Sequence, residues 1–232
     1  MITRHLQSDI NNYPIGKDSL ASYLKPEDLC RGHTCRRYKR GQIIFYEGQR
    51  PTGLFWIKEG KVKLYKTGIE GKVQITQLLN TGDVVGYREL LTNEPYTVSG
   101  ATLEDALIYM IPANDFFQLL DQNPALVHNL IKALSHDLQS AELHMVNLAQ
   151  SSVRERLAEA LITLGNIYGY DDNMVIKVNL SREDLANIVG TATETVIRLL
   201  SELKKELIIS TPGKKIRVLD ERKLVKAQHA FS

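Results

Sequence analysis

Cysteine is scarce: the 232 residues include only Cys30 and Cys35. With His33 between them they offer three candidate ligands. A closed zinc site takes four, and an iron–sulfur cluster usually takes four thiolates. Two reduced thiols and no metal or other cofactor are therefore expected. Histidine is missing from residues 36–127, since the six histidines stand at 5, 33, 128, 136, 144 and 229. That argues against a cupin-like metal oxygenase, whose barrel aims several histidines and a carboxylate inward. No apolar run reaches the roughly 18 residues of a membrane span. The opening MITRHLQSDINNYPIGK lacks the apolar stretch of a secretory signal. A cytoplasmic protein with no membrane partner is expected. Phosphate-cradling loops, nucleophile elbows and paired acids are also missing, which points away from an enzyme. Neither sign of charge is in excess, with a net charge of +2. Affinity for nucleic acid would have to come from a local patch.

What is present first is glycine punctuation. Glycines recur at 41, 48, 53, 60, 68, 71, 82, 86 and 100. Between them lie short runs rich in β-branched and aromatic residues: Gln42–Tyr46, Leu54–Lys58, Lys61–Lys66, Val73–Leu79, Thr97–Ala101 and Ala106–Ile111. Many short strands with such turns predict an antiparallel roll or barrel, closed by Pro112. Before it, residues 1–17 read as irregular and 18–31 as short helical pieces broken by Pro26.

A long helix is predicted from about Asn123 to Gln150. Ile131, Leu134, Leu138, Ala141, Met145 and Leu148 recur along it at 3-4-3-4-3 spacing, a coiled-coil seam. Leu126, Val127 and Leu130 lie beside the seam and are expected to cover the roll. Two apolar surfaces on one helix predict a homodimer. His128, His136 and His144, eight apart, drift around the helix and read as solvated or interface residues.

The C-terminal third is the most informative. Ser152 opens a helix to about Tyr168 with a Ser-Val-Arg-Glu capping box. Met174–Val178 reads as a strand. Ser181 then caps a short helix with Asp184 three residues on, and Gly190 makes the turn. Thr191 is expected to cap the next helix, with Glu194 at the capping-box position. Val196, Leu199, Leu200, Leu203 and Leu207 form its buried face at 3.6 spacing. Thr193, Glu194, Ile197, Arg198 and Ser201 are left pointing outward. This is a helix-turn-helix whose second helix is free to enter a major groove. Residues 208–218 read as a basic hairpin with Lys214, Lys215 and Arg217, a wing placed against phosphates. Residues 220–232 end the chain as a short helix. The expected fold is α+β: a β-roll sensor over 1–122, a dimerisation helix and hinge over 123–150, and a winged helix-turn-helix over 151–232. A rival reading keeps the fold but makes the chain a ligand-binding or scaffolding module whose C-terminal unit binds protein.

Roll, seam helix and winged helix-turn-helix in this order resemble the Crp–Fnr family of bacterial regulators. YKRGQIIFYEGQ, GLFWIKEGKVKLY and GDVVGYRELL are similar to its Gly-punctuated, cyclic-nucleotide-binding-like roll. SREDLANIVGTATETVIRLLSELKKELII is similar to its recognition unit, and Gly213-Lys214-Lys215-Ile216 to its wing. The resemblance implies a homodimer on palindromic double-stranded DNA that acts on RNA polymerase at promoters. It implies base contacts from Thr193, Glu194, Ile197 and Arg198, and phosphate contacts from Ser181, Thr191, Lys214, Lys215 and Arg217. It also implies an effector pocket around Arg88, Glu89, Tyr96, Thr97 and Glu142. There the chain departs from the cyclic-AMP pattern. Glu89 matches the ribose-binding acid in part. The phosphate-binding Arg-Ser falls at Pro95-Tyr96, and the adenine-reading Thr-Ser at Ala141-Glu142. An effector other than cyclic AMP, or none, is expected.

Overall fold

A computed structural model describes residues 34–228. The expectations for 18–31, Cys30 and His33 lie outside the described residues. Cys35 is a free, exposed thiol.

Two four-stranded antiparallel sheets build the roll. One carries β1 (Thr34–Tyr38), β8 (Ala106–Pro112), β3 (Gly53–Glu59) and β6 (Val84–Val85), in that order. The other carries β2 (Ile43–Phe45), β7 (Ser99–Thr102), β4 (Val62–Thr67) and β5 (Val73–Leu79). Alternation explains the inside. Val62 and Leu64 point inward from β4 and Ile108 from β8, and they meet Phe45, Ile57 and Val98 in one core. A Cβ on Gly100 would stand 2.6 Å from the Phe45 ring, so a glycine there is what admits that ring. A short helix, α1 (Tyr87–Thr92), interrupts the roll.

After Pro112 the structure adds α2 (Ala113–Gln122), which the sequence reading passed over, and then α3 (Pro124–Gln150). Asn123 caps α3 by accepting from the Leu126 N–H at 3.2 Å, with proline in the first turn where its missing N–H costs nothing. Leu126 and Leu130 pack on Leu54, Val84, Tyr87, Leu90, Ile111 and Phe116. Val127 departs from expectation. It is 37% exposed and does not cover the roll. It extends the seam one step towards the N-terminus, turning the spacing into 4-3-4-3-4-3. Leu134 is the seam residue that leans on its own roll core.

Ser151 is extended at ψ 141, and Ser152 then starts α4 (Val153–Tyr168) with the capping box foreseen. The Ser152 hydroxyl accepts from Glu155 N–H, and the Glu155 carboxylate accepts from Ser152 N–H. The expected strand at Met174–Val178 forms only two isolated bridges, Tyr170 to Ile176 and Val175 to Arg217. Met174 sits at φ 59, which bends the segment out of a ladder. Then follow α5 (Arg182–Val189), α6 (Thr193–Lys205), the hairpin of β9 (Ile209–Ser210) and β10 (Arg217–Val218), and α7 (Glu221–Gln228). No helix among the described residues is long and apolar enough to cross a membrane.

Candidate nucleic-acid interface and the junction behind it

Helix α5 is anchored by local chemistry. Ser181 Oγ accepts from Asp184 N–H at 2.9 Å, and Asp184 Oδ2 accepts from Ser181 N–H at 3.1 Å. Gly190 leaves the helix at φ 72, ψ 50, where a side chain would be strained. Helix α6 begins one residue later than expected. Its N-cap is Ala192, which has no capping side chain, and Thr191 lies in the turn before it. The turn is tight enough that the Thr191 N–H already bonds back to Ala186 O at 3.1 Å.

Val196, Leu199, Leu200 and Leu203 bury one face of α6 against α4 and α5. Leu207 does not continue that face. It lies at φ 56 beyond the last turn and is 67% exposed. The chain reverses there and sends Ile208 into the core instead.

The outer face of α6 is free. Glu194, Ile197, Arg198 and Ser201 are exposed, and Thr193 is half-buried. Arg198 does not pair with Glu194. Its guanidinium donates to Glu202 at 2.6 Å, one turn further on. Glu202 and Glu206 also hold Arg154 of α4, which donates to both Glu206 oxygens at 2.9 and 2.7 Å. Being exposed, the Arg198–Glu202 pair contributes little net stability, so the guanidinium is available to another acceptor. Lys214 and Lys215 stand exposed in the hairpin loop next to Gly213 at φ 63. Arg217 is set back from that tip. It is half-buried on β10, and it and Lys215 help to hold the Asp171 carboxyl below the usual range, after the Val175 and Asn173 N–H bonds. Ser181 also donates its hydroxyl to Asp184 at 2.7 Å, so that group is committed within its own cap.

Three of the five effector residues, Glu89, Tyr96 and Thr97, lie together, whereas Arg88 and Glu142 stand apart from them. Tyr96 is buried in the roll, its ring 4.2 Å from that of Phe45, which lies 5.6 Å from Phe55. Burial, and then the Glu89 charge, push the Tyr96 phenol above its usual value. Glu89 is buried and Thr97 reaches it at 3.5 Å, at the limit of a hydrogen bond. Glu142 is exposed on α3. Arg88 turns away from this group to line a different space, between the roll and the C-terminal domain.

That junction was not foreseen. Lys63 of β4 donates to Asp184 at 2.5 Å. Gln74 of β5 donates to Ile188 O at 3.2 Å, and Arg40 to Asn179 O at 3.0 Å. Leu103 of the roll joins the C-terminal core itself. These contacts join residues 63 and 184, or 74 and 188, and no short-range pattern encodes such a pairing. The one signal available was Asp184, an acid with an obvious local role that a distant lysine also uses.

A β-roll joined by a long helix to a winged helix-turn-helix, with an exposed outer helix face and a basic hairpin loop, defines a DNA-binding transcription regulator. The family models agree: residues 35–123 match the cyclic nucleotide-binding domain, and 155–227 the Crp-like helix-turn-helix domain. The chain belongs to the Crp–Fnr family of regulators. It is 30% identical over 189 residues to the cyclic AMP receptor protein of Thermus thermophilus, covering 80% of this chain and 85% of that protein. It is 29% identical over 198 residues to the anaerobic regulatory protein of Bacillus subtilis, covering 84% and 83%. FixK2 from Bradyrhizobium japonicum shares its fold, with a TM-score of 0.76 at 22% identity over 84% of this chain and 96% of that one. The family comprises DNA-binding transcription factors, and nothing in the comparisons points to an enzyme.

Proposed function

We propose that the protein binds a palindromic promoter site as a homodimer in the cytoplasm, acting on RNA polymerase, with an effector other than cyclic AMP or none. Residues 1–122 act as the sensor, 123–150 as the pairing helix and hinge, and 151–232 as the reader. The observation that carries this reading is the outer face of α6, where Glu194, Ile197 and Arg198 stand exposed together. Arg198 can donate two hydrogen bonds to guanine O6 and N7, and Glu194 can accept from cytosine N4. Ile197 packs on a thymine methyl. Thr193 is too short for a bidentate guanine contact, so the outer position of each half-site relaxes. Lys214 and Lys215 meet phosphates, with Arg217, Ser181 and Thr191 behind them. The seam supports pairing: Ile131, Leu138 and Met145 are 57%, 63% and 62% exposed. Against cyclic AMP stand Pro95 and the buried Tyr96, neither of which offers a fork of donors to a phosphate.

Selection from random DNA tests this reading. Enriched sites should have two-fold symmetry, with the guanine read by Arg198 strongly fixed and the outer guanine loose. Arg198→Ala should cost about 1–3 kcal/mol and relax one position, while Lys214→Ala weakens all sites alike and lowers the salt slope by about one. Asymmetric sites, or two guanines fixed equally, would overturn the assignment. Calorimetric binding of cyclic AMP at low micromolar concentration would overturn the effector reading.

A further inference from the structure

A row of alternating charges runs from the outer face of α6 back to α4. Arg198 Nη1 donates to Glu202 Oε1 at 2.6 Å. The other Glu202 oxygen stands 3.6 Å from Nη1 of Arg154. Arg154 in turn donates through Nη2 to both oxygens of Glu206. The backbone sets this order. Residues 198, 202 and 206 follow one another at i, i+4 spacing, so they stand on one side of α6 and its C-cap. Arg154 lies in the first turn of α4, whose Leu157 shares a core with Leu200 and Leu203 of α6.

The row has a held end and an open end. Arg154 sits between two acids with its side chain 28% exposed, whereas Arg198 has one acid behind it and is 65% exposed. A guanidinium carries five N–H donors in one plane. Glu202 takes one from Nη1, which leaves the edge formed by Nε and Nη2. Two parallel donors on one edge are what guanine O6 and N7 require. A lone arginine on a helix surface loses rotamer freedom when it meets a base, and a phosphate can capture it as well. A carboxylate behind it restricts those rotamers beforehand and opposes a swing to the backbone. That carboxylate also sets a negative charge towards DNA, which Arg154 partly offsets.

We infer that Glu202 is a specificity-determining positioning residue, which aims Arg198 at guanine and is itself steadied by Arg154 of α4. The inference rests on the reading of Arg198 given above. It carries a signature that a loosened helix lacks. Removing Glu202 should weaken the choice of base while strengthening contact with DNA of any sequence. A damaged fold would weaken both.

Fluorescence anisotropy on the full-length protein tests it with three duplexes at one salt concentration: the selected palindrome, the same palindrome with adenine for the guanine read by Arg198, and an unrelated sequence. Wild type should prefer guanine to adenine about tenfold or more. Glu202→Ala should cut that preference about fivefold or more, and raise affinity for the unrelated duplex about two- to fivefold by removing a negative charge. Glu202→Gln, whose amide oxygen can still accept from Arg198, should keep most of the preference and show the same rise. Arg154→Ala should reduce the preference by a smaller factor. The melting temperature of Glu202→Ala should stay near that of wild type, since exposed pairs contribute little to folding. An unchanged preference in Glu202→Ala would overturn the inference. So would a raised preference, which would mean that the acid withholds Arg198 from the base, and so would an equal loss on all three duplexes. Arg198→Ala separates this inference from the reading beneath it. If Arg198→Ala keeps the guanine preference, the base-reading assignment fails and the positioning falls with it. If Arg198→Ala abolishes the preference while Glu202→Ala leaves it intact, the reading stands and the positioning alone fails.

Discussion

Asp83 and Leu207 each occupy a position whose local geometry disfavours them. Burial pushes the Asp83 carboxyl up to about 6, against the Asn80 N–H bond that lowers it. An aspartate in the unfolded chain titrates near 3.9. The folded state therefore holds a proton that the unfolded state has lost. Asp83 favours folding below about pH 4, and this contribution disappears as pH rises through about 6. The shift corresponds to about 3 kcal/mol in the single-site limit. Asp83→Asn keeps an acceptor for Asn80 and removes the charge. It should stabilise the protein by about 1–3 kcal/mol near pH 7.5 and by almost nothing near pH 4, read by urea unfolding at both. No gain near neutrality would mean that the carboxylate is solvated or paired. Leu207 sits where helices usually place glycine. Ile208 N–H bonds to Leu203 O at 3.0 Å and Leu207 N–H to Lys204 O at 3.1 Å, the Schellman pattern, with Leu207 at φ 56. Relief of the Cβ clash outweighs the extra unfolded-state entropy, so Leu207→Gly should add about 0.5–1 kcal/mol. A lowered melting temperature would show instead that the exposed leucine makes a contact that matters.

At the scale of the element, α3 divides its duties around its circumference. Leu126, Leu130 and Leu134 face the roll core, and Lys132, His136, Ser140 and His144 line the cavity between the roll and the C-terminal domain. Val127, Ile131 and Leu138 face outward, while Met145, though exposed, also borders the cavity and Leu148 lies beside Gly190. Each large side chain buried in a dimer contributes about 1.5–3 kcal/mol, and symmetry doubles the set. Leu138→Glu sets like charges against each other while touching nothing in its own core. Sedimentation should find wild type dimeric at micromolar concentration and Leu138→Glu monomeric, with unchanged circular dichroism. A monomeric wild type, or a variant that stays dimeric, would mean the seam is misread. These duties were unequally visible in the sequence. The boxes at Ser152 and Ser181 were legible because each is a contact within a few residues. Strand β1 was missed because four of its five residues are exposed, so TCRRY shows no inward alternation. Helix α2 was missed because Pro112 and Pro124 crowd its ends. Val127 was assigned to the wrong face because one residue is too little to separate two stripes on a helix.

At the scale of the whole molecule, a few polar bonds and a strip of apolar packing hold the roll to the helix-turn-helix. The Lys63–Asp184 pair is the charged member, with side chains only 21% and 12% exposed. Burial alone would raise the Asp184 carboxyl. The hydrogen bonds from Lys63 and Ser181 and the Lys63 charge outweigh it and hold the group below its usual value. A depressed acid favours the docked state above its free value, near 3.9, and that support is lost as pH falls through the lower, docked value. Two consequences follow for the same interface. Lys63→Ala leaves the Asp184 charge half-buried against the roll, so the domains should separate more often. Small-angle scattering should give a larger radius of gyration for the variant near pH 7, and proteolysis should cut faster at Ser151–Ser152, where α3 gives way to α4. Acid should move wild type in the same direction below about pH 4, whereas the variant, already without the pair, should lack that step. Gln74→Ala, which removes an uncharged bond across the interface to Ile188, should loosen docking to a smaller extent and leave the acid step intact. Identical scattering and cleavage in wild type and Lys63→Ala would mean that apolar packing, with Leu78 and Leu103 against the C-terminal core, fixes the domains without help from the charged pair.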